Sequence, residues 1–384
     1  MVRSLWASLR CIQQEYRIRR EQEYYERTAK ISHAYPLDNI ALKERLFRRL
    51  SQRGISPRPT DNLHVVYATP LSEWEKLAIP PALSKFGTIS EFFLKENGFD
   101  IFATDWTKRR HELDDSLYRF VERCNKKKKV DVLFSYLSGY LIRPETIQRI
   151  NSLGVITCAM WLDDRLSFKG YRHGGRHEGT VGLAPAYDLN LTNASKSIVK
   201  YFVEGGLAMF WPPGADPDHF RPLNRPFRYD VSFVGSCYGR RKDYVEYLRN
   251  HGLSVFAFGS GWDDGQIDAK RMIEIYSESR INLGFSGIGY SMKETCLKGR
   301  DFEVPMTGAV YLTTAQPDLD RVFHVGDEVH IYHDKLDLLN KLRMLLHEPE
   351  ICASTRIRAR QRCVQSHTWY HRFETLFRIF GFID

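Results

Sequence analysis

From His64 to Trp211 short runs of branched and aromatic residues alternate with amphipathic stretches, and the alternation starts again at Tyr229. LHVVYA (63–68), VDVLFSY (130–136), GVITCAMW (154–161) and the shorter runs 188–192 and 208–211 read as strands. Continuous apolar runs of this kind suit strands covered on both faces. Segments 113–124, 143–153 and 195–204 read as helices, as does 88–97, with a short strand expected at 98–103. In the second block, YDVSFVG (229–235), SVFAFG (254–259), RINLGF (280–285) and GAVYLT (308–313) are strands. Helices are expected at 241–250, 270–279, from 300 to 305, and over 337–347, 349–366 and 369–380. Such alternation builds parallel sheets with helices on both faces.

The two blocks are separated by Pro212, Pro213, Pro217, Pro222 and Pro226, the clearest boundary in the chain. The expected organisation is a basic helical extension (1–58), an N-terminal Rossmann-like domain (59–212) and a proline-rich linker (213–228). A C-terminal Rossmann-like domain (229–366) and a terminal aromatic helix (367–384) complete it. Two doubly wound units place a ligand cleft at the carboxyl ends of their strands.

With 384 residues, 43% of them hydrophobic, the chain is long enough for two or three domains and too apolar to be disordered. Its longest nearly apolar run, 153–162, is far short of a membrane span. The net charge is +9, and residues 1–58 hold 13 Lys or Arg against 6 Asp or Glu. Leu5, Leu9, Ile12 and Tyr16 follow helical spacing, as do Leu42, Leu46 and Leu50, with Pro36 between the two series. A solvated helical extension packed on a domain or partner fits this pattern better than a surface touching anionic lipid, because the apolar face is narrow and mixed with Tyr and Gln. The seven cysteines include no C-x-x-C pair, so we expect reduced thiols and no zinc site. No apolar secretory segment opens the sequence, and we expect a cytoplasmic protein, its basic N-terminus a candidate contact with the inner membrane face.

Two motifs carry chemistry. Gly235 and Ser236 end a predicted strand and are followed by Arg240, an arrangement that lets backbone and guanidinium approach phosphate. Lys298, Arg300 and Glu303 lie within six residues at a helix start. The cations can neutralise a diphosphate and the carboxylate can accept both hydroxyls of a ribose. Each motif alone also fits a turn with surface charges.

Together, FVGS (233–236) with Arg240, FAFGSGW (256–262), YSESRINLGFS (276–286), LKGRDFEVPMTGAVYLT (297–313) and HTWYHRF (367–373) resemble the C-terminal half of family 1 glycosyltransferases of the CgeB or spore-maturation type. LSEWEKLAIPPALSKFG (71–87) and VITCAMWLDD (155–164) carry a weaker likeness to the partner domain. The resemblance implies an α/β GT-B fold, two Rossmann-like domains facing a cleft, with the last helix crossing back to the first domain. It implies a nucleotide-sugar donor as co-substrate and no other cofactor. Glu303 then matches the ribose-binding acid, Gly235, Ser236 and Arg240 the phosphate loop, and Lys298 and Arg300 the cations beside the diphosphate. Many retaining relatives carry two glutamates separated by seven residues; here Thr295 stands at the first position, with Glu294 one place off.

In the first half, Asp163 and Asp164 follow a predicted strand and are the candidates for acceptor base or orienter. His173 and His177 lie in a glycine-rich loop, YRHGGRHEG, expected near the acceptor; interrupted by glycine, it is a poor preformed metal site, and no metal is expected. Asp216 and Asp218 satisfy a D-x-D pattern but fall in the linker and read as structural. The expected reaction is metal-independent transfer of a sugar from a nucleoside diphosphate to a hydroxyl acceptor. A nucleotide-sugar epimerase or hydrolase and a noncatalytic nucleotide-sugar- or glycan-binding protein are the alternatives. Nucleic-acid binding rests on the net charge alone, and no nucleic-acid partner is expected.

Overall fold

The computed structural model describes residues 2–70, 73–173 and 176–384, the side chains of 2–8, 73–75, 107, 173 and 176 excepted. Thirteen strands are defined: β1 (Leu63–Thr69), β2 (Gly87–Phe93), β3 (Val132–Ser135), β4 (Ile156–Trp161), β5 (Arg172–His173), β6 (Arg176–His177), β7 (Leu189–Thr192), β8 (Ala208–Phe210), β9 (Tyr229–Val234), β10 (Val255–Phe258), β11 (Ser279–Leu283), β12 (Tyr311–Thr314) and β13 (His330–Tyr332). They form a six-stranded sheet ordered β2-β1-β3-β4-β7-β8, a five-stranded sheet ordered β10-β9-β11-β12-β13 and a small β5-β6 ribbon. All pairings in the two large sheets are parallel.

The chain divides into two compact units, one of residues 20–211 and 372–384, the other of residues 1–19 and 212–371. The first helix, Val2–Ser32, is therefore shared between units.

In the N-terminal unit the order reverses between β1 and β3, so its crevice lies at their carboxyl ends. Segment 88–97, whose Ile89, Phe92 and Phe93 mimic helical spacing, is instead mostly the edge strand β2, paired residue for residue with β1 from Gly87 to Phe93. Tertiary pairing overrides local periodicity here. The strand expected at 98–103 is a turn. Helix Asn39–Ser51 starts where the Asp38 carboxylate accepts from Ala41 N, and it buries Leu42, Leu46 and Leu50 completely. The returning C-terminal residues complete this core: Phe373 meets Phe134 and Trp211, Phe377 meets Phe86, and Thr60 N donates to Phe382 O.

A buried ion pair fixes the later part of the first helix to this unit. The wholly buried Lys200 ammonium lies 2.7 Å from Glu21, while Tyr25 donates to Glu204 and Gln22 to Lys196 O. Glu21→Ala leaves that cation without its carboxylate partner and lowers stability by about 3–5 kcal/mol, whereas Glu21→Leu with Lys200→Met recovers most of the loss. Urea unfolding of the three proteins checks this.

The C-terminal unit has the shorter version of the same winding, with its reversal between β9 and β11. Val231, Phe233, Ile281, Leu283 and Leu312 from the central strands are buried with Val245, Leu248 and Leu342 from the flanking helices. The edge strand β13 has no counterpart in the sequence reading; it is three residues long, too short for a pattern.

Candidate functional site

The strand order of the C-terminal unit directs attention to the loops after β9 and β11. Val234 ends β9, and Gly235 follows with φ +150°, a conformation that other residues rarely adopt. A Cβ at this position would lie 2.6 Å from a guanidinium nitrogen of Arg300. Glycine thus makes room for an arginine, not only for a turn. The loop is tied to its neighbour after β10: Gly235 N donates to Phe258 O, Cys237 N to Ser260 O, and Trp262 Nε1 to Gly235 O at 2.7 Å. Ser236 is exposed.

Arg240, assigned to phosphate from the sequence, is also exposed, its Nε 3.3 Å from Asp243. Its neighbour Arg241 builds the loop. Arg241 is 4% exposed, donates to Ser236 O at 2.9 Å and to Tyr238 Oη at 2.6 Å, and stacks on the Tyr238 ring.

Opposite this loop runs the segment Lys298–Glu303, leading into helix Arg300–Met306. Asp301 is wholly buried and shapes it, accepting from Lys298 N at 2.7 Å and from Tyr311 Oη at 2.8 Å. Burial pushes the Asp301 carboxyl up, with those two bonds and the Arg300 charge opposing. Asp301 is therefore the structural member, which leaves Arg300 and Glu303 for other partners.

The Arg300 guanidinium lies over the Phe233 ring at 5.1 Å. Its Nε is buried without a hydrogen bond, and it makes no ion pair among the described residues. Glu303 is one helical turn away, has no hydrogen-bond partner among the described residues, and titrates near pH 7: burial pushes its carboxyl up to about 7, with Arg300 opposing and Asp301 adding to the rise. Tyr276, coupled electrostatically to both, has its hydroxyl buried without a partner. A guanidinium, a carboxylate and a phenol are thus gathered, with the Arg300 Nε and the Tyr276 hydroxyl buried and unmatched among the described residues and the Glu303 carboxylate half-buried beside them. Buried polar groups are normally paired, so this arrangement suits an external ligand carrying both anionic and hydroxyl groups.

The loop after β11 is held by a group the sequence reading missed. Gln14 donates to Ile288 O at 2.8 Å and accepts from Tyr290 N at 3.1 Å, fitting beside Gly289, whose φ is +56°. Glu15 accepts from Ser291 Oγ at 2.6 Å, and that hydroxyl accepts in turn from Lys293 N and Glu294 N. The sequence reading expects this extension to pack on a domain or partner, but nothing in its spacing announces which loop, almost 280 positions away, these two residues hold. Thr295, at the position of the first glutamate of retaining relatives, is buried and bridges Gly287.

The candidates in the N-terminal unit separate. Asp164 is completely buried and accepts from Ser197 Oγ at 2.8 Å and Tyr201 Oη at 2.6 Å. Its burial raises the carboxyl pKa against those bonds. A carboxylate so enclosed serves the framework of this unit, and of the two aspartates Asp163 is the nearer to the surface. Asp163, just past β4, is half-buried with φ +57°, an uncommon conformation outside glycine. His177 lies in the ribbon with its Nδ1 buried and unpartnered. The side chain of His173 lies outside the described residues. Asp216 caps a turn by accepting from Asp218 N and His219 N. Among the described residues no three His, Cys, Asp or Glu side chains gather as a metal site.

Residues 240–378 match the model of a glycosyl transferase-like family. No curated protein matches the chain by sequence. Among solved structures it is similar to a sucrose-phosphate synthase from Thermosynechococcus elongatus, with TM-score 0.60, 11% identity and coverage of 83% of this chain and 98% of that one. A glycosyltransferase from Rickettsia africae gives TM-score 0.57, 9% identity and coverage of 84% and 98%. The Anabaena HepE protein, in complex with UDP and glucose, gives 0.54, 9% and coverage of 83% and 100%. The chain has the GT-B fold of these proteins, two parallel α/β sheets with N-terminal helices.

Proposed function

We propose that the protein transfers a sugar from a nucleoside-diphosphate donor to a hydroxyl acceptor, the donor lying at the carboxyl ends of β9 and β11. The observation that carries this reading is the buried, unmatched Arg300 Nε and Tyr276 hydroxyl, with the Glu303 carboxylate near them, beside the glycine loop. A nucleoside diphosphate supplies what each group lacks. Its phosphates are anions for Arg300, Lys298 and Arg240, with the Ser236 backbone near them. Its ribose diol offers two donors to the Glu303 carboxylate. The Anabaena protein of like fold binds UDP and UDP-glucose, which favours a uridine nucleotide as the first to test.

In the transfer the bond between the anomeric carbon and the diphosphate oxygen breaks, and the acceptor oxygen forms the new bond. Charge grows on the departing diphosphate. Fixed cations aimed at that charge lower the barrier without metal. Asp163 is the group we assign to the acceptor hydroxyl, to orient it or to take its proton. The CgeB-type relationship belongs to this proposal as well.

Glu303 must be ionised to accept from the ribose. Donor KM is therefore constant above about pH 7 and rises below it, approaching tenfold per pH unit. Glu303→Gln raises KM by roughly ten- to a hundredfold at pH 8 and removes the inflection. The same substitution makes the free protein more heat-stable at pH 8. A carboxyl whose folded pKa is raised costs stability that is absent below its unfolded pKa and complete above the folded one, and the amide has no such cost. Initial rates against donor concentration from pH 5.5 to 8.5, with melting curves, test both.

Arg300→Ala lowers kcat/KM by about 10²–10³, and Arg300→Lys recovers only part, because a point charge replaces a fork. A kcat/KM unchanged by Arg300→Ala overturns the assignment. Thr295 in place of a glutamate favours a second reading, a noncatalytic nucleotide-sugar-binding protein. Product analysis of UDP-glucose incubated with and without hydroxyl acceptors separates transfer from hydrolysis, and both from binding without turnover.

A further inference from the structure

Helix Asn39–Ser51 turns its leucines inward and carries two different recesses on its outer side. One is a cleft of about 500 Å³ around Ala41, Glu44, Arg45, Arg48 and Arg49. Arg45 and Arg48 are exposed and make no ion pair among the described residues. Arg49 donates to the carbonyls of Tyr187 and Gly205, at 3.1 and 2.9 Å, and to no carboxylate among the described residues. The other recess is a groove of about 480 Å³ around Ile40, Phe47 and Ile379, with Lys43 and Arg378 at its rim. Glu44 lines both, so the two lie side by side. Ile40 is 75% exposed, and Ile31, at the end of the preceding helix, is 83% exposed. From residue 31 to 53 the chain holds five Lys or Arg against two Asp or Glu.

Each half of this surface alone has ordinary explanations. Their adjacency is more selective. A soluble phosphate or a nucleic acid uses the guanidinium cleft and leaves the aliphatic groove wet. An apolar protein partner leaves Arg45 and Arg48 without counter-charges. The face of a bilayer with anionic lipids uses both, phosphates at the headgroup level and acyl carbon just beneath. We propose that helix Asn39–Ser51 and the turn before it dock the N-terminal unit on an anionic phospholipid surface. Arg45 and Arg48 meet the headgroup phosphates, and Ile40 and Ile31 enter the interface. The proposal stands independently of the donor site.

The test is flotation of the full chain with vesicles of phosphatidylcholine alone or with 30% phosphatidylglycerol. We expect binding to the second kind that weakens with salt and is much lower on the first. Arg45→Gln with Arg48→Gln reduces the partition coefficient on the order of thirtyfold. Ile40→Ser lowers it at every salt concentration, and both variants keep the parental melting temperature. Binding that does not depend on phosphatidylglycerol, or that survives all three substitutions, overturns the proposal. Release by millimolar inorganic phosphate at constant ionic strength also overturns it, and points to a free-phosphate site. Tighter binding of a single-stranded oligonucleotide lost in the same variants overturns it in favour of nucleic acid.

Discussion

The candidate site depends on one close approach: the Arg300 guanidinium occupies space that a side chain at position 235 would need. That contact sets a requirement for glycine after β9 and brings a cation to the carboxyl end of the central strands. The Phe233 ring under the guanidinium supports it without neutralising it. Half-burying a guanidinium with no ion pair among the described residues carries a desolvation cost, which a ligand anion would offset. Asp301 lies next in sequence but is engaged by Lys298 N and Tyr311. The arrangement keeps a carboxylate close enough to shape the turn without its consuming the charge of Arg300.

The two units use the same winding for different ends. Both place the reversal of strand order next to their first strand, so both have a crevice at the carboxyl edge. In the C-terminal unit that edge holds unmatched polar groups. In the N-terminal unit the corresponding carboxylate, Asp164, is sealed by hydroxyls, and the neighbouring Asp163 is the one that stays near the surface. In the proposed transfer, the donor would meet the set of groups at the C-terminal edge, and the acceptor would meet Asp163 and the short ribbon.

Much of the fold was legible because buried parallel strands write themselves as nearly unbroken apolar runs, as at Val132–Ser135 and Ile156–Trp161. The reading failed where burial is partial. At the edge, β2 has only Phe92 and Phe93 buried, and their spacing with Ile89 also suits a helix. In the site, Gly235, Arg300 and Glu303 were legible as a pattern of glycine, cation and acid. Arg240 and Arg241 were not distinguishable, because which of two adjacent arginines turns inward is decided by Tyr238 and the Ser236 carbonyl. The burial of Asp164 was illegible for the same reason: it depends on Ser197 and Tyr201, more than thirty residues away. The service of Gln14 and Glu15 to the loop after β11 depends on contacts across almost the whole chain, beyond any local signal.

The central claim is that nucleoside diphosphate binds where β9 and β11 end. Amide hydrogen exchange of the full chain with and without saturating UDP measures this directly. The account predicts slowed exchange concentrated in residues 235–241 and 298–303, with a smaller effect in 286–294. Unchanged exchange in those segments, or protection confined to other parts of the chain, would contradict it.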